Sequence, residues 1–297
     1  MRRTVLITGA TGQVSSALVE ALEGTALERR ALVRDPTRAH GLAARGVEVV
    51  AGDLGDPRSL APAFEGVSDL WLLTPNGPRA PEYSMNALWA ARRAGVERVV
   101  RLSAVGAAHD APTRSGRLHA LSDHELCQSE MAWTILRPHW FMQNLLGAAD
   151  RIAADGTLPL NMGRGSLGMI DVRDIAALAA HVFTSPPGDH HTSTYTPTGP
   201  EAISLAEAAH QVGGAISREV RYVPVSDDAA HAALLARGAP EWIAAMVVEY
   251  AQAHASGWGD FTTTDFQDVV GRPPRSVADF ARDHPEAFGA GTRAGDS

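Results

Sequence analysis

Lysine is absent from this chain: all 26 basic side chains among its 297 residues are arginine. Cysteine is almost absent too. Cys127 stands alone, which excludes an intrachain disulfide and a thiolate metal cluster. Its setting, Glu125-Leu126-Cys127-Gln128, reads as a helix face on which an inert packed thiol suffices. No apolar run approaches the roughly 20 residues needed to span a bilayer. Met1-Arg2-Arg3 runs directly into a strand-like segment without a signal-peptide core, so the expectation is a cytoplasmic protein. An excess of positive charge is also missing. A net charge of −8 and a pI near 5.8 give the surface as a whole no attraction for nucleic acid or an anionic membrane. His190-His191 lacks a third ligand at recognisable spacing, so no metal site is expected. The 45% hydrophobic content permits a substantial core, in one large α/β domain or a domain with an appendage.

The most informative segment present is Thr8-Gly9-Ala10-Thr11-Gly12-Gln13-Val14. It follows the apolar run Val5-Leu6-Ile7 and precedes the helix-like Ala17–Leu22. A strand that turns through glycines into a helix points unpaired backbone N–H groups and the positive helix end at one spot, which suits a pyrophosphate. A tight turn with no ligand is the plain alternative. About two dozen residues on, the second strand-like run ends at Arg34, where an Asp or Glu would otherwise receive an adenosine ribose. A guanidinium there, with Arg38 one turn further, suits a 2′-phosphate and favours NADP(H) over NAD(H). Asp35 counts against this, and a solvated helix start would also explain both arginines.

Strand-like runs at Val5–Ile7, Ala31–Val33, Glu48–Ala51, Leu70–Leu73, Val99–Leu102 and Thr134–Leu136 alternate with helical patterns near 15–23, 37–44, 57–65, 80–93 and 117–130. This alternation predicts an α/β, doubly wound parallel sheet with its ligands at the carboxyl ends of the strands. Beyond Arg137-Pro138 the pattern loosens into a helix over 140–154, a short strand leading into a helix over 174–184, and a loop over 186–200 that has room for one strand at Ser193–Thr196. Residues 204–254 hold a helix, a strand at Val220–Val223 and two further helices. The expected organisation is a dinucleotide-binding domain over 1–155, to which 167–185 returns. A smaller C-terminal α/β cap over 156–166 and 186–288 binds substrate, and a disordered tail covers 289–297.

In this order and spacing several short motifs carry a resemblance: Thr8–Gly12, Val33-Arg34-Asp35, Gly52-Asp53-Leu54, Leu72-Leu73-Thr74-Pro75, Arg101-Leu102-Ser103-Ala104, Trp133–Pro138, Trp140–Asn144 and Ile170–Ile175. From about residue 3 to 288 the chain resembles the NmrA-like, atypical branch of the short-chain dehydrogenase/reductases, the group that holds triphenylmethane-dye reductases and NADPH quinone reductases. The resemblance implies a Rossmann fold and residue roles. Asp53 and Leu54 would meet the adenine, and Thr74 and Pro75 the ribose. Ser103 and Ala104 would approach the nicotinamide, with Pro138 to Phe141 on its other side. Asp53 could equally cap the helix before Pro57. Two departures stand out: Ser15 replaces the usual third glycine, which would loosen helix-on-strand packing, and His139 replaces a small residue between Pro138 and Trp140.

The superfamily's Tyr-x-x-x-Lys pair cannot form without lysine, and Tyr83, Tyr195, Tyr222 and Tyr250 all lie outside the relevant helix. By the resemblance, those two positions fall on His119 and Asp123. Their spacing of four puts both on one helical face, where the carboxylate would orient the imidazole and favour its charged form as a general acid. A solvent-exposed helix pair is the alternative. His139 is the second candidate acid. Asn76 could hydrogen-bond a substrate oxygen, Trp89, Trp140, Phe141 and Met142 could give an aromatic acceptor a stacking surface, and Asn144 completes the expected substrate set. The expected function is hydride transfer from NADPH to a planar conjugated small molecule, a quinone, polycyclic ketone or imine. The alternative is an NADP(H)-sensing regulator that binds without turnover. Apolar helices at 226–254 could close a pocket or form a homodimer face.

Overall fold

In this computed structural model, which describes residues 3–289, every strand-like run of the first half becomes a strand of one sheet. The strands are β1 (Thr4–Ile7), β2 (Glu28–Val33), β3 (Glu48–Ala51), β4 (Asp69–Leu72), β5 (Arg98–Leu102) and β6 (Ala132–Leu136). Between them lie α1 (Gln13–Ala21), α2 (His40–Ala44), α3 (Ala61–Phe64), α4 (Ala80–Ala94) and α5 (Arg114–Cys127). The strand order is β3-β2-β1-β4-β5-β6 and all pairs are parallel. Parallel strands covered on both faces are near-continuously apolar; β1 and β4 are buried at every position, the buried Asp69 of β4 being paired with arginine. The order reverses between β1 and β4, the switch point at which ligands of such sheets bind.

The second half contains α6 (Ala149–Asp155), β7 (Thr157–Leu160), β8 (Ser166–Leu167), α7 (Val172–Thr184), β9 (Ser193–Tyr195), β10 (Ile203–Ser204), α8 (Leu205–Ala215), β11 (Arg221–Pro224), α9 (Asp227–Ala236), α10 (Glu241–Ala255), α11 (Asp265–Val270) and α12 (Val277–Asp283). The chain divides into two units. The first takes the chain up to Ala111, Ser115–Pro138 and Val172–Thr196; the second takes Pro112–Arg114, His139–Asp171 and the chain from Pro197 on. The expected changeover at residue 155 therefore falls at Pro138–His139. The returning segment extends past 185 because β9 pairs with β6 as a seventh parallel strand.

In the first unit α7 packs on α1. Its C-terminal carbonyls at Val182 and Phe183, and that of Ser185 just beyond it, accept from the buried Arg98 guanidinium, which Asp69 balances at 2.7 Å. A core of Leu6, Leu32, Phe64, Leu70, Leu88 and Ile135 fills the sheet's other face. The second unit has its own core of Met142, Leu145, Ile152, Leu158, Val212 and Phe280, and two small sheets, β10 with β8 and β11 with β7. The expected helix over 140–154 splits into a 3-10 stretch, Met142–Ala148, and α6. The expected strand before α7 is a single bridge between Phe141 and Ile170. No described helix is long and apolar enough to cross a membrane. The tail expected to be disordered lies, from residue 290, outside the described residues.

Candidate functional site

The glycine turn forms because the chain must leave β1 sharply. Gly9 takes φ +61°, and a Cβ there would sit 2.8 Å from a Leu73 methyl. Gly12 N donates to Gly9 O at 2.8 Å and Gly12 becomes the N-cap of α1, which receives no side-chain cap bond and carries no acidic residue in its first turn. Thr11, Gly12 and Gln13 are exposed while Ala10 and Val14 are buried. Thr8 ties the turn to β4: its Oγ1 donates to Leu73 O and accepts from Leu73 N. Ser15 does not loosen the packing, contrary to expectation. Its buried hydroxyl donates to Thr8 O at 3.0 Å and accepts from Trp71 Nε1 at 2.9 Å, joining α1 to two strands where glycine would leave the indole N–H unpaired.

The other strand ends of this unit line up along the same carboxyl edge. Arg34 is exposed and makes no ion pair among the described residues. Asp35 turns its carboxylate onto Thr37 N and Oγ1, so it is the cap of Pro36–Arg38 and faces its own chain. The side chain of Arg38 lies outside the described residues. Asp53 is exposed and accepts from Gly55 N at 2.8 Å, whereas the cap before Pro57 is Asp56. The helix-cap reading of Asp53 is thereby removed. Leu54 is buried and its carbonyl accepts from Asn86 Nδ2 of α4. Thr74 is buried; Pro75 and Asn76 are exposed. Ala104 is half-buried, and Pro138 O receives Val105 N at 3.1 Å.

The catalytic candidates of the first unit meet around Asp123. Its Oδ1 accepts from Arg101 Nε at 2.8 Å, and its Oδ2 from Ser103 Oγ at 2.8 Å and Arg137 Nη2 at 3.0 Å. Asp123 therefore serves two guanidinium groups and a hydroxyl, not His119. The imidazole instead meets Arg101, whose Nη2 lies 3.3 Å from His119 Nδ1. Burial and the Arg101 charge push His119 down to about 4, and Asp123 opposes this only in part. The expected imidazolium is thus a neutral ring at neutral pH. Burial likewise lowers Arg101, with Asp123 holding it charged.

The remaining candidates belong to the second unit. His139 is fully buried, accepts from Trp140 N at Nδ1 and donates Nε2–H to Gly259 O at 2.9 Å. Both ring nitrogens are thus occupied, and burial pushes its pKa down to about 4. This removes it as a proton donor. His254 tilts against it at 5.4 Å between ring centroids, and Tyr250, Trp258 and Phe261 enclose the pair. A side chain at Gly259 would run into the His254 ring. Trp140 and Phe141 are half-buried, Met142 is buried and Asn144 is exposed. Trp89, in the first unit, is exposed under the Arg93 guanidinium.

Arg101, Arg137 and His254 received no role from the sequence. The signal for Arg101 was a charge inside the apolar run Val99–Leu102, which demands a buried acid. No comparable signal marks His254.

The site residues can be set beside known proteins. Residues 9–186 match a family described as NAD(P)H-binding. An NAD(P)H azoreductase from Xenophilus azovorans is 39% identical over 96% of this chain and 99% of its own. A (4-alkanoyl-5-oxo-2,5-dihydrofuran-3-yl)methyl phosphate reductase from Streptomyces griseus is 33% identical over 96% and 99%. The NADPH complex of the Escherichia coli NADPH-dependent quinone oxidoreductase superposes with a TM-score of 0.83, at 27% identity over 94% of this chain and 99% of that one.

Proposed function

The chain belongs to the NAD(P)H-binding family, and from that premise we propose that it is a reductase that prefers NADPH and transfers hydride to planar, conjugated small molecules. Near-complete alignment with a protein named an NAD(P)H azoreductase carries the reading. The similarity to reductases named for a dihydrofuranone phosphate and for quinones adds acceptors of the same electronic type. The nicotinamide nucleotide, when bound, supplies the hydride.

The residues fit such a nucleotide. The uncapped start of α1 offers its first N–H groups to a diphosphate, and the exposed Thr11–Gln13 backbone leaves room for it. Arg34, exposed and without an ion-pair partner among the described residues, is the group for a 2′-phosphate, and the Asp35 carboxylate turns onto Thr37 as the cap of Pro36–Arg38. Asp53 and Leu54 take the adenine, Thr74 and Pro75 the ribose, and Ser103, Ala104, Pro138 and Phe141 the nicotinamide. Ser103 has committed its proton to Asp123, so toward a ligand it is an acceptor. For the substrate, the residues of this proposal are Asn76 in the first unit and, taken separately, Trp140, Phe141 and Asn144 in the second.

Titration of NADPH and NADH into the wild type and Arg34→Asp tests the nucleotide preference. Loss of charge-assisted bonds lowers NADPH affinity by roughly 10- to 100-fold and leaves NADH nearly unchanged. Equal NADPH affinity in the variant would end the 2′-phosphate assignment. NADPH consumption across azo dyes, quinones and enones tests the reaction. Tight binding without consumption by any of them would favour a cofactor sensor.

A further inference from the structure

The cluster at the end of β5 has a polarity that the fold alone does not require. Arg101 lies in β5 and is 1% exposed, Arg137 follows β6, and Asp123 and His119 come from α5. Two guanidinium ions face one carboxylate, so with a neutral imidazole the cluster keeps one net positive charge. A guanidinium has no acceptor, so the contact between Arg101 Nη2 and His119 Nδ1 forces that nitrogen to accept. The ring proton must then reside on Nε2. No described protein group bonds Nε2, and it is not among the buried polar atoms left without a partner, so this N–H meets solvent.

We infer that His119 acts as a neutral Nε2–H hydrogen-bond donor whose tautomer Arg101 sets, and that the cluster selects acceptors which become anions when they receive hydride. The inference rests on the reductase reading above and narrows its substrate class. Hydride transfer breaks the C4–H bond of the reduced nicotinamide and delivers one hydrogen and two electrons to one atom of the acceptor. In a neutral quinone, enone or azo compound the displaced electron pair moves to the conjugate oxygen or nitrogen. That atom becomes negative, is stabilised by a donor N–H and a net positive site, and takes its proton from water afterwards. An iminium or triarylmethyl cation only loses its charge, so a positive site opposes its entry and offers its product nothing. Burial and Arg101 hold the ring neutral, at about 4, so the donor state persists across the neutral range, with Arg137 adding to and Asp123 opposing the effect of Arg101.

Ring-nitrogen NMR of the 15N-histidine-labelled full chain reads the tautomer without cofactor or substrate. The expected result is an Nε2–H ring that does not titrate between pH 8 and 5. An Nδ1–H ring, or titration near pH 6.5, would overturn the assignment whether or not the protein is a reductase. Arg101→Met leaves Asp123 beside the ring and moves its titration upward by a pH unit or more, while Arg101→Lys restores the charge and reverses much of that shift. Should these variants not fold, His119→Gln and His119→Phe decide the donor role. With NADPH and a neutral quinone, His119→Phe lowers kcat by roughly 100-fold with little change in KM, and His119→Gln keeps most of the rate. With a cationic triarylmethane dye the loss on His119→Phe is at least tenfold smaller than with the quinone. Equal losses on both acceptor types would refute the selectivity. No turnover with either acceptor by the wild type would refute the reductase reading, leaving the tautomer result standing by itself.

Discussion

His119 in the first unit and His139 in the second are both held neutral, each near 4, yet their surroundings have opposite characters. Around His119 the protein buries charge: Arg101 and Asp123 are both nearly inaccessible and paired at 2.8 Å. Around His139 it packs neutral rings: the buried His254, the half-buried Tyr250 and Trp258, and the exposed Phe261. The unoccupied nitrogen separates the two. His139 has both nitrogens bonded internally and is a structural peg, whereas His119 has one nitrogen fixed by Arg101 and the other free to meet a ligand. A depressed pKa marks burial; a function needs an atom left over.

The contrast can be broken most sharply at Asp123. Asp123→Ala leaves two guanidinium groups facing each other, one of them fully buried, and lowers unfolding stability by about 3–5 kcal/mol in urea titration. Removal of an imidazole from the second cluster leaves no charge stranded and costs less. A next effect is acid sensitivity. The folded-state values of His139 and His254, about 4 and about 3, lie below the ordinary 6.5, so the unfolded chain binds more protons between them. Stability is therefore complete above pH 6.5 and falls, by roughly 1.4 kcal/mol per pH unit per ring, as pH drops toward 4. In His254→Leu the acid limb of the stability profile is shallower, measured by denaturant unfolding at pH 7, 6, 5 and 4; an unchanged slope would show that other groups carry it. The smallest effect belongs to Ser15→Ala, which strands the Trp71 N–H and costs about 1–3 kcal/mol by thermal unfolding. Ser15→Gly, the usual residue, also loses that bond and is no more stable than the alanine variant.

Much of this was legible from local pattern. Strand-like runs of three or four residues, alternating with helical periodicity, give a parallel sheet whose strand ends are legible in the sequence, among them the turn at Gly9–Gly12 and the position of Arg34. Spacing also put His119 and Asp123 on one face of α5. It did not say what that face meets: Arg101 comes from a different strand and takes the carboxylate on which the imidazole would have depended. Ser15 read as a defect because its benefit, the bond from Trp71, depends on a residue 56 positions away. His139 read as an acid because its partner, the carbonyl of Gly259, lies 120 positions downstream.

What the sequence determined by itself was therefore the β-α order, the glycine turn from β1 into α1, the absence of a tyrosine–lysine pair and the arginine at the end of the second strand. All four depend on neighbours within one or two turns of chain or on composition. Tertiary structure alone decided the protonation of the two histidines, the service of Asp123 to arginine and the inert role of His139. Proton affinity depends on burial and on charges a few ångströms away, and distance in space has no counterpart in distance along the chain.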